Sequence, residues 1–248
     1  MTTIKAGKVV AVCLSPRKGI PKFPQERITV GPWGILGDYH AQPHHLHPQV
    51  DQGRPNLRQV SICAQEVYDD LAKHWGIKVP PGGFAENILV KGLGDLSDLL
   101  PGQQLIFSSG VVLEVTAQNR PCRNLCVYHP LLPKLIYGRR GVVALVKNTG
   151  LIEPGDTVTV EDVDGSRIIK VEAYAGAYYP EHPRRIFWRD RWWEVIQVLK
   201  QWQQPEGRYF IVALEGDIKV LICYYQGIDT WQFIRGWEEP IERRPSNV

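Results

Sequence analysis

Short apolar runs with polar gaps dominate the chain. Residues 8–14 form a β-branched run that stops at Ser15-Pro16, and residues 27–30 form another that stops at Gly31-Pro32. Both have the length and bounding residues of strands. Strands are also predicted over 58–62, 87–90, 103–107, 111–116, 141–147 and 156–160. Ser108-Ser109-Gly110 joins two of them as a hairpin, and Pro154-Gly155 turns the chain into the last. One stretch has a different period. Ala64, Val67, Tyr68, Leu71 and Trp75 recur at helical spacing, with Glu66, Asp69, Asp70 and Lys73 between them, so an amphipathic helix ending at Gly76 is expected. The class is therefore mainly β: a closed or folded-over barrel with one or two helices rather than an alternating α/β sheet.

Beyond residue 163 the composition changes. Six of the eight tryptophans lie there (Trp188, Trp192, Trp193, Trp202, Trp231 and Trp237), so the chain is expected to divide into domains at 1–163 and 164–248. Strands are predicted over 167–173, 184–198, 208–214, 218–225 and 230–235, which makes the second domain a small all-β module. Arginines alternate with its aromatic residues, a pattern that could stack and neutralise a single-stranded nucleic acid. However, residues 167–248 carry twelve Lys and Arg against eleven Asp and Glu. That balance favours a sheet with an aromatic core face and a salt-bridged outer face, and nucleic acid is not the expected partner.

A formal net charge of +3 gives no bulk attraction to polyanions. The longest apolar runs, 141–146 and 220–225, cannot span a bilayer, and the first residues lack the apolar core of a signal peptide. A cytoplasmic location without membrane contact is expected. Five scattered cysteines with no C-x-x-C pair make a disulfide framework improbable there.

Candidate chemistry gathers in two places. Cys122 follows a predicted strand within Arg120-Pro121-Cys122-Arg123, between two guanidinium groups. The thiolate is the form that binds a soft metal or attacks an electrophile. The alternative is a buried, inert cysteine. Cys126 adds only a lone C-x-x-x-C, weak support for zinc. The second place is the long loop 31–58, which holds Asp38, His40, His44, His45 and His47. Its prolines Pro43 and Pro48 argue against a helical array of metal ligands, and a polar loop bordering a pocket fits better than a histidine cage. H-E-x-x-H, Walker and G-x-G-x-x-G motifs are absent, so nothing supports zincin, P-loop or Rossmann chemistry.

Six segments in register resemble MOSC domains: residues 34–40 (GILGDYH), 58–61 (RQVS), 84–88 (FAENI), 101–105 (PGQQL), 120–122 (RPC) and 150–156 (GLIEPGD). The resemblance implies a β-barrel whose pocket holds the molybdenum cofactor (molybdopterin), or handles its terminal sulfur, through the cysteine of the Pro-Cys motif, here Cys122. Family members include the C-terminal part of molybdenum cofactor sulfurases and reductases of N-hydroxylated compounds. Asp38, His40, Arg58, Asn87, Arg120 and Arg123 are the expected cofactor-binding residues, with Arg139, Arg140 and Lys147 as further cations for a pterin phosphate. Fixing loops through hydrogen bonds to backbone is the alternative role for Asp38, His40, Glu86 and Asn87, and it is the favoured one for Glu86 and Asn87. Ala85 departs from the pattern by standing where the family has Gly, and the segment around His129 does not align.

The expected function is that of a molybdenum-dependent oxidoreductase acting on a small N-hydroxylated substrate. Its electrons would come from a donor protein, since no flavin or iron–sulfur signature is present. One alternative is a carrier with a persulfide on Cys122. Another is a non-catalytic binding protein whose Trp-rich module, residues 186–195 of which resemble a small bacterial β domain of unknown function, contacts protein or nucleic acid.

Overall fold

In the computed structural model, residues 5–44, 54–162, 168–175, 180–204, 206–216 and 218–238 are described. The chain divides into two compact units, Met1–Val163 and Asp164–Val248. In the first unit the strands are β1 (Ala6–Leu14), β2 (Phe23–Gln25), β3 (Ile28–Gly31), β4 (Gly34–Ile35), β5 (Val60–Ala64), β6 (Ile88–Lys91), β7 (Gln104–Phe107), β8 (Val112–Gln118), β9 (Val142–Asn148), β10 (Gly150–Ile152) and β11 (Thr157–Glu161). Helix α1 spans Gln65–Trp75 and helix α2 spans Leu132–Leu135.

Seven strands run in the order β11-β7-β8-β9-β5-β6-β1, and pairing of β1 with β11 closes them into a barrel. Closure leaves no free edge within the ring. Strand β2 adds to β1 outside it, and β10, β3 and β4 form a small separate sheet. Every pairing in the ring is antiparallel except β5 with β6. A parallel pair needs a crossover, and α1 lies in that connection. Its Val67, Tyr68 and Leu71 are buried, and Gly76 caps it with φ 65° while donating its N–H to the Leu71 carbonyl. Trp75 shares the predicted apolar face, yet it stands 54% exposed. The barrel interior holds Val9, Val12, Val60, Ile62, Ile88, Val90, Leu105, Leu113 and Val115, which share one face by strand register, and Phe84 and Phe107 belong to the same buried cluster.

The second unit is an antiparallel meander of β12 (Lys170–Ala175), β13 (Pro180–Trp188), β14 (Arg191–Gln203), β15 (Gly207–Leu214), β16 (Ile218–Tyr225) and β17 (Thr230–Glu238). It curls until Ile168, just ahead of β12, bridges to Gln232 in β17. The continuous strand expected over 184–198 is in fact two. Arg189 and Asp190 take positive φ angles of 52° and 59° and reverse the chain between β13 and β14. Such a turn is usually announced by Asn-Gly or Asp-Gly, and Arg-Asp gives no such signal. Ile186, Trp193, Phe210, Val212, Val220 and Ile222 form the core, with Trp188 stacked on Phe233 at 4.9 Å. On the other face Arg185 pairs with Glu172 and Glu194.

Among the described residues, no helix is long and apolar enough to cross a membrane.

Candidate functional site

Strand register sets the position of the site. Gln118, Val142, Ile62, Ile88 and Val12 pair in succession across β8, β9, β5, β6 and β1, so they lie side by side around one end of the barrel. Asn119, Arg140, Ser61 and Asn87 lie within two residues of that line. Loop residues reach the same end, and together they enclose a cavity of about 260 Å³. Its lining carries the cations Lys18, Lys22, Arg58 and Arg140, the imidazoles His40 and His44, and the amides Asn56, Asn87 and Asn119. Among the described residues no carboxylate lines it. Such a wall suits an anionic ligand.

Asp38 lies directly behind this wall. Its carboxylate accepts hydrogen bonds from the Ser15 N–H at 3.1 Å, the His40 N–H at 3.0 Å and the Asn87 amide at 3.1 Å. The Lys22 ammonium sits 2.9 Å from Oδ2 and 3.0 Å from Oδ1, with both side chains buried. His40 Nδ1 is 3.3 Å from Oδ1. Burial alone would raise the Asp38 pKa, but the hydrogen bonds from His40 and the charge of Lys22 outweigh it and hold the carboxyl well below its usual range. For Lys22 burial prevails and lowers the pKa, with Asp38 opposing. Asn87 also donates to the Cys13 carbonyl at 3.1 Å and accepts from the Ser61 N–H at 3.2 Å, which ties three barrel strands to the loop.

Glu86 points the other way, fully buried. It accepts from the Tyr68 hydroxyl at 2.7 Å and from the Gly82 and Phe84 amides. Burial raises its pKa against those donors. Between Glu86 and Phe84, Ala85 adopts φ 64°, a conformation that glycine reaches without strain, and its residue lines the cavity. The glycine that the MOSC resemblance implies at this position would take that conformation without strain.

The chain between β8 and β9 forms an excursion whose two ends are bound together at the cavity. Asn119 donates its N–H to the Gly141 carbonyl at 2.7 Å, and Arg58 Nη2 donates to Asn119 Oδ1 at 2.9 Å. Gly141, at φ 93°, allows the close approach to β5, since a Cβ there would stand 2.1 Å from the Ile62 carbonyl oxygen. Arg140 is buried and donates to the carbonyls of Arg120 and Phe84, but its Nε finds no hydrogen-bond partner. Arg140 belongs to the cavity lining, and a buried guanidinium nitrogen without a partner is uncommon in a native fold.

Of the expected site residues, the structure brings His40, Arg58 and Asn87 together on the cavity wall, with Asp38 behind them. Cys122, Arg120 and Arg123 are exposed and are not among the lining residues. Cys122 caps a 3₁₀ turn over Arg123–Val127. Among the further cations, Arg140 lines the cavity, Arg139 pairs with Asp70 at 2.7 Å, and Lys147 lies 3.7 Å from Glu114. His44 lines the cavity; His45 and His47 lie outside the described residues. Lys18, Lys22, Asn56 and Asn119 escaped the sequence analysis. Lys22 lies in a Pro-Lys-Phe-Pro stretch with no periodic signal, and only its distant partner Asp38 gives it a role. Cys13, Cys63 and Cys223 are buried, and burial with the nearby Glu86 pushes the Cys13 thiol up to about 12. These are packing residues.

A protein of Bacillus subtilis (strain 168), described as "Putative metal-sulfur cluster biosynthesis proteins YuaD", is 31% identical over 145 residues, spanning 51% of this chain and 76% of that one. The MOSC domain family model matches residues 41–159. The chain belongs to the MOSC domain family. Its MOSC barrel has the fold of the YuaD protein crystal structure, with TM-score 0.58 and 26% identity over 66% of this chain and 100% of that one. YiiM from Geobacillus stearothermophilus gives TM-score 0.49 at 22% identity, covering 63% and 75% of the two chains. The match to the family model stops short of the Trp-rich unit.

The residues of the cavity fit an anionic cofactor of the kind the family implies. The lining cations, the buried and unpartnered Arg140 Nε, and the lack of a carboxylate among the described lining residues suit a pterin phosphate.

Proposed function

We propose that this chain is a molybdenum-cofactor-binding protein, with the pterin phosphate held in the cavity and the metal taken by the Cys122 thiolate. The observation that carries the proposal is the cation-lined cavity, whose lining includes Arg140 with its buried, unpartnered Nε. When bound, the cofactor supplies oxygen-atom and electron transfer toward small substrates, of which N-hydroxylated compounds are the expected class. The chain's own residues bind and orient. Arg58, Arg140 and Lys18 present charge to the phosphate. Asp38 fixes Lys22 and the backbone of His40, so these donors are in place before a ligand arrives. Tyr68 and Glu86 hold the turn that carries Ala85 and Asn87.

A second reading is a carrier that passes sulfur on through a Cys122 persulfide. The exposed position of Cys122 favours it, because transfer to another protein needs an accessible sulfur, and YuaD's name points to metal–sulfur biosynthesis.

The test is elemental analysis with pterin fluorescence on the full chain, freshly purified from a host that makes the cofactor. Molybdenum and pterin are expected in equal amounts. Lys18→Ala should weaken pterin retention, and Cys122→Ser should lose molybdenum. Pterin without reductase activity, together with a labile sulfur on Cys122, would favour the carrier. Protein free of both metal and pterin would overturn the proposal.

A further inference from the structure

The excursion over residues 119–141 is two-sided in a way that cofactor binding does not use. Its inner side anchors to the barrel core through Leu125, Leu132 and Ile136, each fully buried. Its outer side leaves Val127 74%, Leu131 50% and Tyr137 68% exposed. Three large apolar side chains thus stand exposed within one short stretch of chain, a concentration of the kind found at interaction sites. The charge of the same stretch is one-sided as well. It contains Arg120, Arg123, Lys134, Arg139 and Arg140, and no Asp or Glu. Arg139 is tied to Asp70 and Arg140 is buried, which leaves Arg120, Arg123 and Lys134 as its exposed cations. Both exposed cysteines, Cys122 and Cys126, belong to this stretch. Its ends, Asn119 and Arg140, line the cavity.

We infer that the outer face of this excursion is a docking surface for a protein that presents carboxylates around an apolar centre, and that it brings this partner to Cys122. The inference rests on the proposed reading of Cys122 as the reactive sulfur. An acidic rim complements three cations that have no carboxylate in their own segment, while apolar contacts at the centre supply adhesion. A second copy of this chain is disfavoured, because a two-fold contact would set the same cations against each other. A membrane surface would also accept basic and apolar residues, but it brings no donor or acceptor to the exposed sulfur.

The test uses two peptides of equal length, one Glu-rich and one Lys-rich, each with the same leucines and a cysteine activated as its pyridyl disulfide. The Cys122 thiolate attacks the peptide sulfur, forms a mixed disulfide and releases thiopyridone, which is read by absorbance. A Cys126→Ser background leaves Cys122 as the one exposed cysteine. The Glu-rich peptide should react at least tenfold faster at low salt, with the advantage fading as salt rises. Arg123→Glu with Lys134→Glu should abolish that preference. Lys8→Glu, at the opposite end of β1 from the cavity, should leave it in place. Val127→Ser with Tyr137→Ser should slow the Glu-rich peptide several-fold while keeping the order of the two. Equal rates for the two peptides, or an equal effect from Lys8→Glu, would overturn the inference. So would phosphatidylserine vesicles that bind the wild type and release the Arg123/Lys134 variant, which would assign the face to a membrane. The rates need no cofactor, so the two proposals fail separately. Charge preference in protein that never takes up molybdenum sinks the cofactor reading alone, and charge-blind kinetics in loaded protein sinks the docking surface alone.

Discussion

The two sides of the cavity differ in how their residues are held. At the cavity floor and behind it, Lys22, Asn87, Asp38 and Glu86 are buried and cross-bonded, each to partners from distant parts of the chain. On the rim, outside the cavity lining, Cys122, Arg120 and Arg123 stand exposed on an excursion secured by apolar anchors and by hydrogen bonds at its base. A floor of this kind preorganises charge, and it cannot be altered without cost to the fold. A rim of this kind can change its chemistry while the barrel stands. Floor residues should therefore report on stability and rim residues on function.

The strongest attempt to break that contrast is Asp38→Asn. It leaves the buried Lys22 ammonium without its counter-charge, and a loss of about 3–5 kcal/mol is expected by chemical denaturation. Its pH dependence sharpens the point. The native Asp38 pKa is depressed, so its stabilisation is complete above the unfolded value of about 3.9 and is lost as pH falls below that, through the native value. Because of Asp38 itself, the gap between wild type and variant should close only in strong acid, where the wild-type carboxyl is protonated too. A gap that narrows near pH 6 would show that another group carries the effect.

Tyr68→Phe removes one donor from the fully buried Glu86 carboxylate. A loss of about 1.5–3 kcal/mol in denaturant is expected, the range for a hydrogen bond to a charged group. Burial and Glu86 hold the Tyr68 phenol well above its usual range, so ionisation of the phenol adds no pH dependence to this loss near neutral pH.

Ala85→Gly should go the other way. Relief of about 1–2 kcal/mol of left-handed strain is partly offset by about 0.4–1 kcal/mol of added unfolded-state entropy, and a small rise in melting temperature is expected. A fall would mean that the alanine methyl makes contacts worth more than the strain.

The smallest stability effect belongs to Cys122→Ser, which should stay within about 0.5 kcal/mol of wild type because the residue is exposed. Loss of molybdenum without loss of fold is the expected signature. If Cys126→Ser instead loses the metal while Cys122→Ser keeps it, the wrong sulfur has been assigned.

Much of the fold was legible along the chain, because period-2 runs, one 3.6-period stretch and glycine or proline turns are local signals. These gave the helix ending at Gly76, the hairpin at Ser108-Ser109-Gly110 and nearly every barrel strand. The turn at Arg189-Asp190 was hidden because neither residue announces a positive φ. Short motifs singled out His40, Arg58 and Asn87 for the cavity, and Asp38 behind it. Lys22 and Asn119 could not be found in that way, since each has its role through a partner 16 or 61 residues away.

By itself, then, the sequence determined the strand and helix pattern, the MOSC motifs and the change of composition near residue 163, all properties of neighbouring residues. Tertiary structure alone decided which cations face a common cavity, which carboxylates are buried behind it, and that Cys122 stands outside its wall. Burial and charge proximity depend on closure of the barrel through β1 and β11, a pairing between chain segments some 150 residues apart.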